Sequence, residues 1–487
     1  MRPKKIRAAI TYKRLPRIVA ECLIANLGLF FVGYQLSTFD DIKPALAKEL
    51  NIANVQSDIL FFNLLFMGGG VLGALVAGCT APSIGRKKTM VFADLVGILG
   101  IGMTLVLQQE ASFAIGRFLT GLAAGINTVV VHLFTFEMLP REVFHRYAPM
   151  NQISFTFGFV ISRLGATLAF LGFVKETFIE EHAQLWRLLA AIPLLTSLLR
   201  CMLYIFCWER DTAKYYTFKN MDHEASSVLN SYYKQEWIIA KTRELVSIRN
   251  DQSEPDKKPV FANMFKKKYL YRTIVCLGLG FFKQTTLVNA FLCSKEDAIS
   301  DKAYIGDRSN IVVVCWTLGA AVGSIATAFV LGFRGKKKIL LMGGAILIVM
   351  ASVAVLCDFE EIYILPDVAE LVYITAYSFS YGPITWMFYC YLLPDQGISI
   401  VQAVEWALGA LLIWIIYLVN YGSFVSVRGD LQVLFIMLNT FGFFFLMQFV
   451  REIKGKDYFT IKRKFESEDE DEMVKEIFLQ NRPTIFD

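Results

Sequence analysis

The chain has 487 residues, of which 55% are hydrophobic and 19% charged, with a net charge of +6. Its mean hydropathy of +0.47 comes from apolar runs that recur from end to end. A water-soluble fold could not cover them all with polar elements, so that class is excluded.

Other classes fall on motif and charge. The basic excess sits in short turns beside apolar runs, as membrane topology requires and unlike a nucleic-acid surface. There is no Walker loop, no H-E-x-x-H and no nucleophile elbow, so nothing points to an enzyme. The nine cysteines contain no C-x-x-C pair and the four histidines are scattered. No metal or cofactor is expected.

In chain order, residues 1–17 form a basic segment with Arg2, Lys4, Lys5, Arg7, Lys13, Arg14 and Arg17. It lacks the order of a cleaved signal peptide, and Pro3 and Pro16 interrupt an amphipathic presequence helix. A bilayer crossing needs roughly 20 mostly apolar residues. The first half offers 18–37, 57–80, 88–108, 112–135, 147–172 and 185–208. The second offers 270–292, 309–332, 337–358, 366–392, 398–421 and 431–453. Spans 57–80 and 309–332 are rich in Gly and Ala, which suits closely packed bundle helices.

The predicted organisation is thus a six-helix bundle over 18–208, a linker over 209–269, a second bundle over 270–453 and a charged tail over 454–487. The linker is charged and amphipathic, predicting two or three short helices on the membrane surface. The tail's acidic run from Glu466 to Glu472 is a solvated face. Arg86, Lys87 and Lys88 follow the second span, and Arg334, Lys336, Lys337 and Lys338 follow the eighth. With twelve crossings these turns, the N-terminus and the linker share one side, while 38–56 and 293–308 are more acidic. Both termini are expected on the cytoplasmic or matrix side. The repeated turns, 'GCTAPSIGRKK' and 'VLGFRGKKK', point to internal duplication. Such transporters hold their solute between the halves.

The chain resembles the sugar porter branch of the major facilitator superfamily over roughly residues 18–460. The resemblance is carried by Gly33-Tyr34, by Gly78 with Gly85-Arg86-Lys87-Lys88, and by Gly116-Arg117-Phe118 with Gly121 and Gly125. Glu137 with Pro140, Asn151-Gln152, Trp186-Arg187 with Pro193, and Gly382-Pro383 with Trp386 and Pro394 extend it. It implies an all-α membrane protein of twelve transmembrane helices in two pseudo-symmetric six-helix bundles. It also implies solute contacts at Gln152, Gln284, Asn289 and Trp386, and gating residues Gly85, Arg86, Arg117, Glu137 and Arg187. Amides offer paired donors and acceptors to hydroxyls, and an indole a flat apolar face with one donor. Taken alone, buried amides more often hydrogen-bond neighbouring helices.

Several positions depart from the family pattern. Lys283 replaces the first glutamine of the seventh-span pair, and Leu287 its glycine. Glu405-Trp406 is the best local match to an Asn-Trp pair in the eleventh span. Ionisable groups at bilayer depth are costly unless paired, so Lys283 and Glu405 are expected to face each other. The pair would recognise a charged or zwitterionic solute, or seal a cavity that no longer transports. Family acids and arginines at the gate are replaced by Pro82, Ser83, Tyr391, Ile398 and Phe144, with Arg146 near enough to substitute for the last. That predicts a relaxed gate.

Arg117 and Arg187 are expected to anchor a loop network with Glu137 and the acids of 209–224. Arg163 is expected to pair with Glu405 or Asp94, or to reach lipid headgroups, and Arg200 is read similarly. After the sixth span, either Glu209 or Asp211 with Lys214 stands for the family's acidic signature. Proton-coupled relatives carry an acid directly after Gly-Tyr; this chain has Gln35, which cannot titrate. Glu405 is a candidate replacement. Two functional readings follow: a facilitative carrier of a hexose or similar small polar solute, working by alternating access among membrane lipids, or a transport-inactive subunit whose membrane-protein partners hold its termini.

Overall fold

The computed structural model describes residues 15–49, 55–106, 109–171, 185–207, 210–253, 261–288, 308–359, 365–421 and 428–453, and these are almost wholly helical. Asn289, residues 1–14, Glu209 and the acidic tail lie outside the described residues. The first bundle comprises α1 (Leu15–Glu49), α2 (Val55–Ile84), α3 (Arg86–Val106), α4 (Glu110–Met138), the short α5 (Arg141–Tyr147), α6 (Met150–Leu171) and α7 (Leu185–Phe206). The linker holds α8 (Ala213–Phe218), α9 (Asp222–Tyr232) and α10 (Gln235–Ser253). The second bundle comprises α11 (Lys267–Thr285), α12 (Arg308–Val330), α13 (Lys336–Phe359), α14 (Leu365–Phe379), α15 (Tyr381–Leu392), α16 (Asp395–Tyr421) and α17 (Arg428–Phe449). Eight of the described helices are long and apolar enough to cross a membrane on length and composition alone.

Three spans differ from the sequence expectation, each for a local reason. The predicted first loop is helical as far as Glu49, because α1 runs 35 residues without a break. At 1.5 Å per residue it is about 50 Å long, beyond the ~30 Å of hydrocarbon. Its last turns bury Phe39, Ile42 and Leu46 against Ile59, Phe62, Phe113 and Trp186. The tenth span is two helices, α14 and α15, parted at Ser380. Pro383 has no N–H to give the Phe379 carbonyl one turn back; the Thr327 hydroxyl donates to that oxygen instead, at 2.6 Å. The seventh span breaks after Thr285, where Leu287 adopts φ +59°.

Small residues set how closely the helices pack. A Cβ at Gly121 or Gly125 of α4 would strike the Phe66 or Gly70 carbonyl of α2. Backbones that approach this closely gain dispersion contacts where no hydrophobic drive acts between helices. The two bundles then meet along two seams, α2 against α16 and α6 against α12. These are second span on eleventh and fifth on eighth, as a pseudo-twofold axis between duplicated halves requires. The linker helices share a small core of Leu229, Ile238 and Leu245. Tyr232 of α9 fastens them to the first bundle by donating to Glu21 Oε1 at 2.7 Å.

Candidate functional site

Between the bundles lies a cavity of about 920 Å³, counting its open mouth, lined by Gln152, Lys283, Gln284, Trp386, Glu405 and Trp406. The structure thus gathers every described member of the residue set expected to contact a solute. Gln152 comes from α6, Lys283 and Gln284 from the end of α11, Trp386 from α15, and Glu405 and Trp406 from α16. Gln152 packs over Gly382, where any Cβ would meet its amide.

The expected ion pair forms. Lys283 Nζ lies 2.8 Å from Glu405 Oε2, and the Tyr389 hydroxyl donates to Glu405 Oε1 at 2.6 Å. Gln284 donates to the Glu405 carbonyl at 3.2 Å, so α11 and α16 are tied twice at one level. Trp406 donates to Thr128 Oγ1 at 3.2 Å and meets Phe66 edge-on at 5.8 Å. That indole crosses the seam and occupies the space a Cβ at Gly70 would need.

His132 and Asn151 also line the cavity, and no sequence motif pointed to His132. Its ring stacks on Trp386, centroids 4.8 Å apart and planes 17° apart. Its Nδ1 hydrogen-bonds the Thr128 carbonyl one turn back on α4; a carbonyl only accepts, so Nδ1 carries a hydrogen and Nε2 of the neutral ring is an acceptor. Asn151 matched the family, but its role was not assigned from sequence. Its whole amide, and the Trp386 N–H, are buried without a partner among the described residues. Buried polar groups left unsatisfied in this way are costly and call for a ligand or water.

One end of the bundles is closed by a charge network that links both halves to the linker. Arg86, first residue of α3, lies 2.8 Å from Glu137 of α4 and 2.5 Å from Asp395 at the start of α16. Lys214 of α8 reaches the same two acids at 3.0 and 3.3 Å, and Thr212 donates to Glu137 at 2.6 Å. Burial works against the Lys214 charge, but Asp395 and Glu137 more than offset it and hold its ammonium up to about 12.

Beside this latch, Asp211 accepts from the Lys87 N–H at 3.0 Å, capping α3. Burial pushes the Asp211 carboxyl above its ordinary range, against the pull of Arg86. The same device recurs in the other half. Glu452 accepts from the Lys336 and Lys337 N–H groups at 3.0 and 3.1 Å, capping α13. Gly85 with φ +101° and Gly335 precede the two helices, and a Cβ at either would strike the capping carboxylate. Free N–H groups at a helix start and the dipole both favour an acid there.

The network bears on four sequence expectations. The charges lost from the family pattern are partly made up: Asp395 and Lys214, which no motif singled out as a pair, supply a second acid and base. Arg146 is exposed and does not replace the missing arginine. Asp211 and Lys214, one of the two registers left open for the family's acidic signature, both take part here, and Glu209 lies outside the described residues. Arg117 and Arg187 do not join Glu137. Arg117 lies 20 positions before it on α4, about 30 Å away along the axis. There its guanidinium stacks over Phe39 and Phe66 at 4.3 and 4.4 Å. Arg187 pairs with Glu49 at the same far end, where Trp186 also donates to Glu49 at 2.6 Å.

Of the remaining helix arginines, Arg200 takes one of the expected partners, Asp94. Arg200 is fully buried and grips Asp94 through Nε at 2.9 Å and Nη2 at 2.6 Å, while Nη2 also reaches Asn127 at 2.8 Å. Asp94 is therefore engaged by Arg200 and Glu405 by Lys283. Arg163 is buried, not at a headgroup surface. At the tenth-span position of the family acid, Tyr391 packs against Phe136 and Phe144, with centroids 5.0 and 5.7 Å away, and under the Lys336 ammonium at 4.9 Å. An aromatic cluster stands where relatives have charges.

Comparison with known proteins places the chain. The profile of the family described as "Sugar (and other) transporter" matches residues 22–465. Hexose transporter 1 of Plasmodium falciparum is 24% identical over 466 residues, covering 89% of this chain and 90% of that protein. Sugar transporter ERD6 of Arabidopsis thaliana is 22% identical over 453 residues, covering 89% and 84%. The solved structure of the proton:xylose symporter XylE bound to 6-bromo-6-deoxy-D-glucose superposes with a TM-score of 0.83 at 16% identity, covering 93% of this chain and all of that one. That likeness shows the fold. A profile match over nearly the whole length shows the family, and the chain belongs to the sugar transporters of the major facilitator superfamily.

Proposed function

We propose that this protein is a facilitative carrier of a hexose-like, polyhydroxylated solute, moved by alternating access of the two bundles around the central cavity. The observation that carries the reading is the cavity lining. Gln152 of one half and Gln284 and Trp386 of the other converge on one space, and the Asn151 amide and Trp386 N–H there lack partners among the described residues. A solute with many hydroxyls satisfies such groups from both halves at once, so its binding favours closure over either open state. Arg86, Glu137, Lys214 and Asp395 hold one end shut; Gly85 gives that hinge its turn. By the placement of the basic turns, this end faces the cytoplasm or matrix.

Gln35 supports facilitation over proton symport. It stands after Gly33-Tyr34, and Arg117 Nη1 lies 3.5 Å from its Oε1. An amide there has no proton to exchange between states.

The test is uptake of radiolabelled D-glucose into liposomes holding the purified full chain. Saturable uptake is expected, indifferent to an imposed proton gradient. Losing two polar contacts in a Trp386→Ala/Gln152→Ala variant should lower kcat/KM about tenfold or more. Uptake no greater than in empty liposomes, for D-glucose and for every other polyhydroxylated solute of its size tested, would sink the reading.

A further inference from the structure

The cavity's one ion pair is not symmetric toward the solute. Glu405 is sealed: its side chain is 5% exposed, with Lys283 on Oε2 and Tyr389 on Oε1. Lys283 is 15% exposed and lines the cavity, and Glu405 is its only acceptor among the described residues. An ammonium has three N–H donors, so two remain for a ligand. Glu405 is also the only acid among the lining residues. An ion pair is a dipole, and this one has its negative end capped by a phenol and its positive end presented to the cavity. An entering anion meets the ammonium in direct contact and the carboxylate only behind it, so the attraction exceeds the repulsion. The Trp386 N–H, without a partner among the described residues, is a further donor in the same lining.

We infer that the preferred solute is a sugar acid, a polyhydroxylated monocarboxylate whose carboxylate seats on Lys283 while its hydroxyls engage the amides of Gln152, Gln284 and Asn151. This rests on the transport reading above and narrows its solute. Carried without a proton, such a solute moves one negative charge per turnover. Its flux therefore responds to membrane potential, whereas glucose flux does not.

The experiment measures D-glucuronate and D-glucose uptake side by side in liposomes holding the full chain, with a potassium diffusion potential set by valinomycin. The expected result is a kcat/KM for glucuronate about tenfold or more above that for glucose, the worth of a hydrogen bond to a charged group. Glucuronate uptake should rise when the interior is positive. Lys283→Met alone would strand the Glu405 charge and risk misfolding, so the deciding variant is Lys283→Met/Glu405→Gln, checked for a single monodisperse peak in detergent. Its ratio of glucuronate to glucose kcat/KM should fall by about tenfold. Glucose uptake without glucuronate uptake, or a ratio unchanged in the double variant, overturns the inference and leaves the carrier reading standing. Uptake of neither solute overturns the inference; uptake of no polyhydroxylated solute of their size tested overturns both.

Discussion

Leu287 stands where the family resemblance implies a glycine, and it adopts the left-handed backbone, φ +59°. An L-residue with a Cβ is strained there by about 1–2 kcal/mol. Among replacements that both lose the leucine side chain, the usual helix order should reverse: Leu287→Gly is expected to be about 1 kcal/mol more stable than Leu287→Ala. Unfolding of the two variants in detergent, followed by circular dichroism, measures the difference; alanine ranking above glycine would show that the turn relaxes. Residues of this sort set the limit of what the sequence discloses. The Lys283–Glu405 pair could be foreseen because two charges at bilayer depth must find each other. Tyr389 and His132 could not, since a phenol or imidazole on an apolar helix is ordinary filling until a neighbouring helix supplies its partner.

At the scale of helices, the buried arginine of α7 is a staple. Arg200 ties α7 to α3 through Asp94 and to α4 through Asn127, and also donates to the Ala25 carbonyl of α1 at 3.0 Å. A Cβ at Gly28 would collide with this guanidinium, so α1 is shaped to admit it. Four helices of the first bundle are thus held by one guanidinium. Asp94→Ala leaves an uncompensated buried cation and is expected to cost about 3–5 kcal/mol, whereas Asp94→Leu with Arg200→Met should recover most of it. Thermal unfolding of the detergent-solubilised variants distinguishes these, and a single variant as stable as wild type would remove the staple. Helix ends were less legible than helix existence. Composition marks a crossing because hydrocarbon demands it. The extra turns of α1 are fixed by tertiary partners, Phe62 and Phe113 among them, that a window of sequence does not contain.

For the molecule as a whole, the latch is where the halves are held together at one end. Lys214 is its most exposed member, and its pH response has a definite sign. Its ammonium is held up to about 12, above the ordinary 10.5. Its stabilising contribution is therefore complete below 10.5 and disappears as pH rises toward 12. The melting temperature of wild type should exceed that of Lys214→Met by a constant margin from pH 7 to about 10, and the margin should close above that. A margin already gone at pH 9 would mean that Asp395 and Glu137 do not hold the lysine. The family resemblance located Arg86 and Glu137, and Lys214 as one of two alternatives, but missed Asp395. Motif matching aligns positions, whereas a charge network needs only a sign within reach, from whichever helix provides it.

The two capping carboxylates carry a consequence for how the chain is made. Asp211 follows the last helix of its half and Glu452 follows the last helix of the other, yet each seals the start of that half's third helix. Each bundle is closed into a ring by its own final residues. A ribosome delivers the N-terminal half first, so that ring can be completed while the second half is still being synthesised. The second stays open until Glu452, beyond its last span, has been made. Biogenesis is thereby divided into two checkpoints, and a message truncated a few codons short of Glu452 would yield one finished bundle beside one that cannot lock.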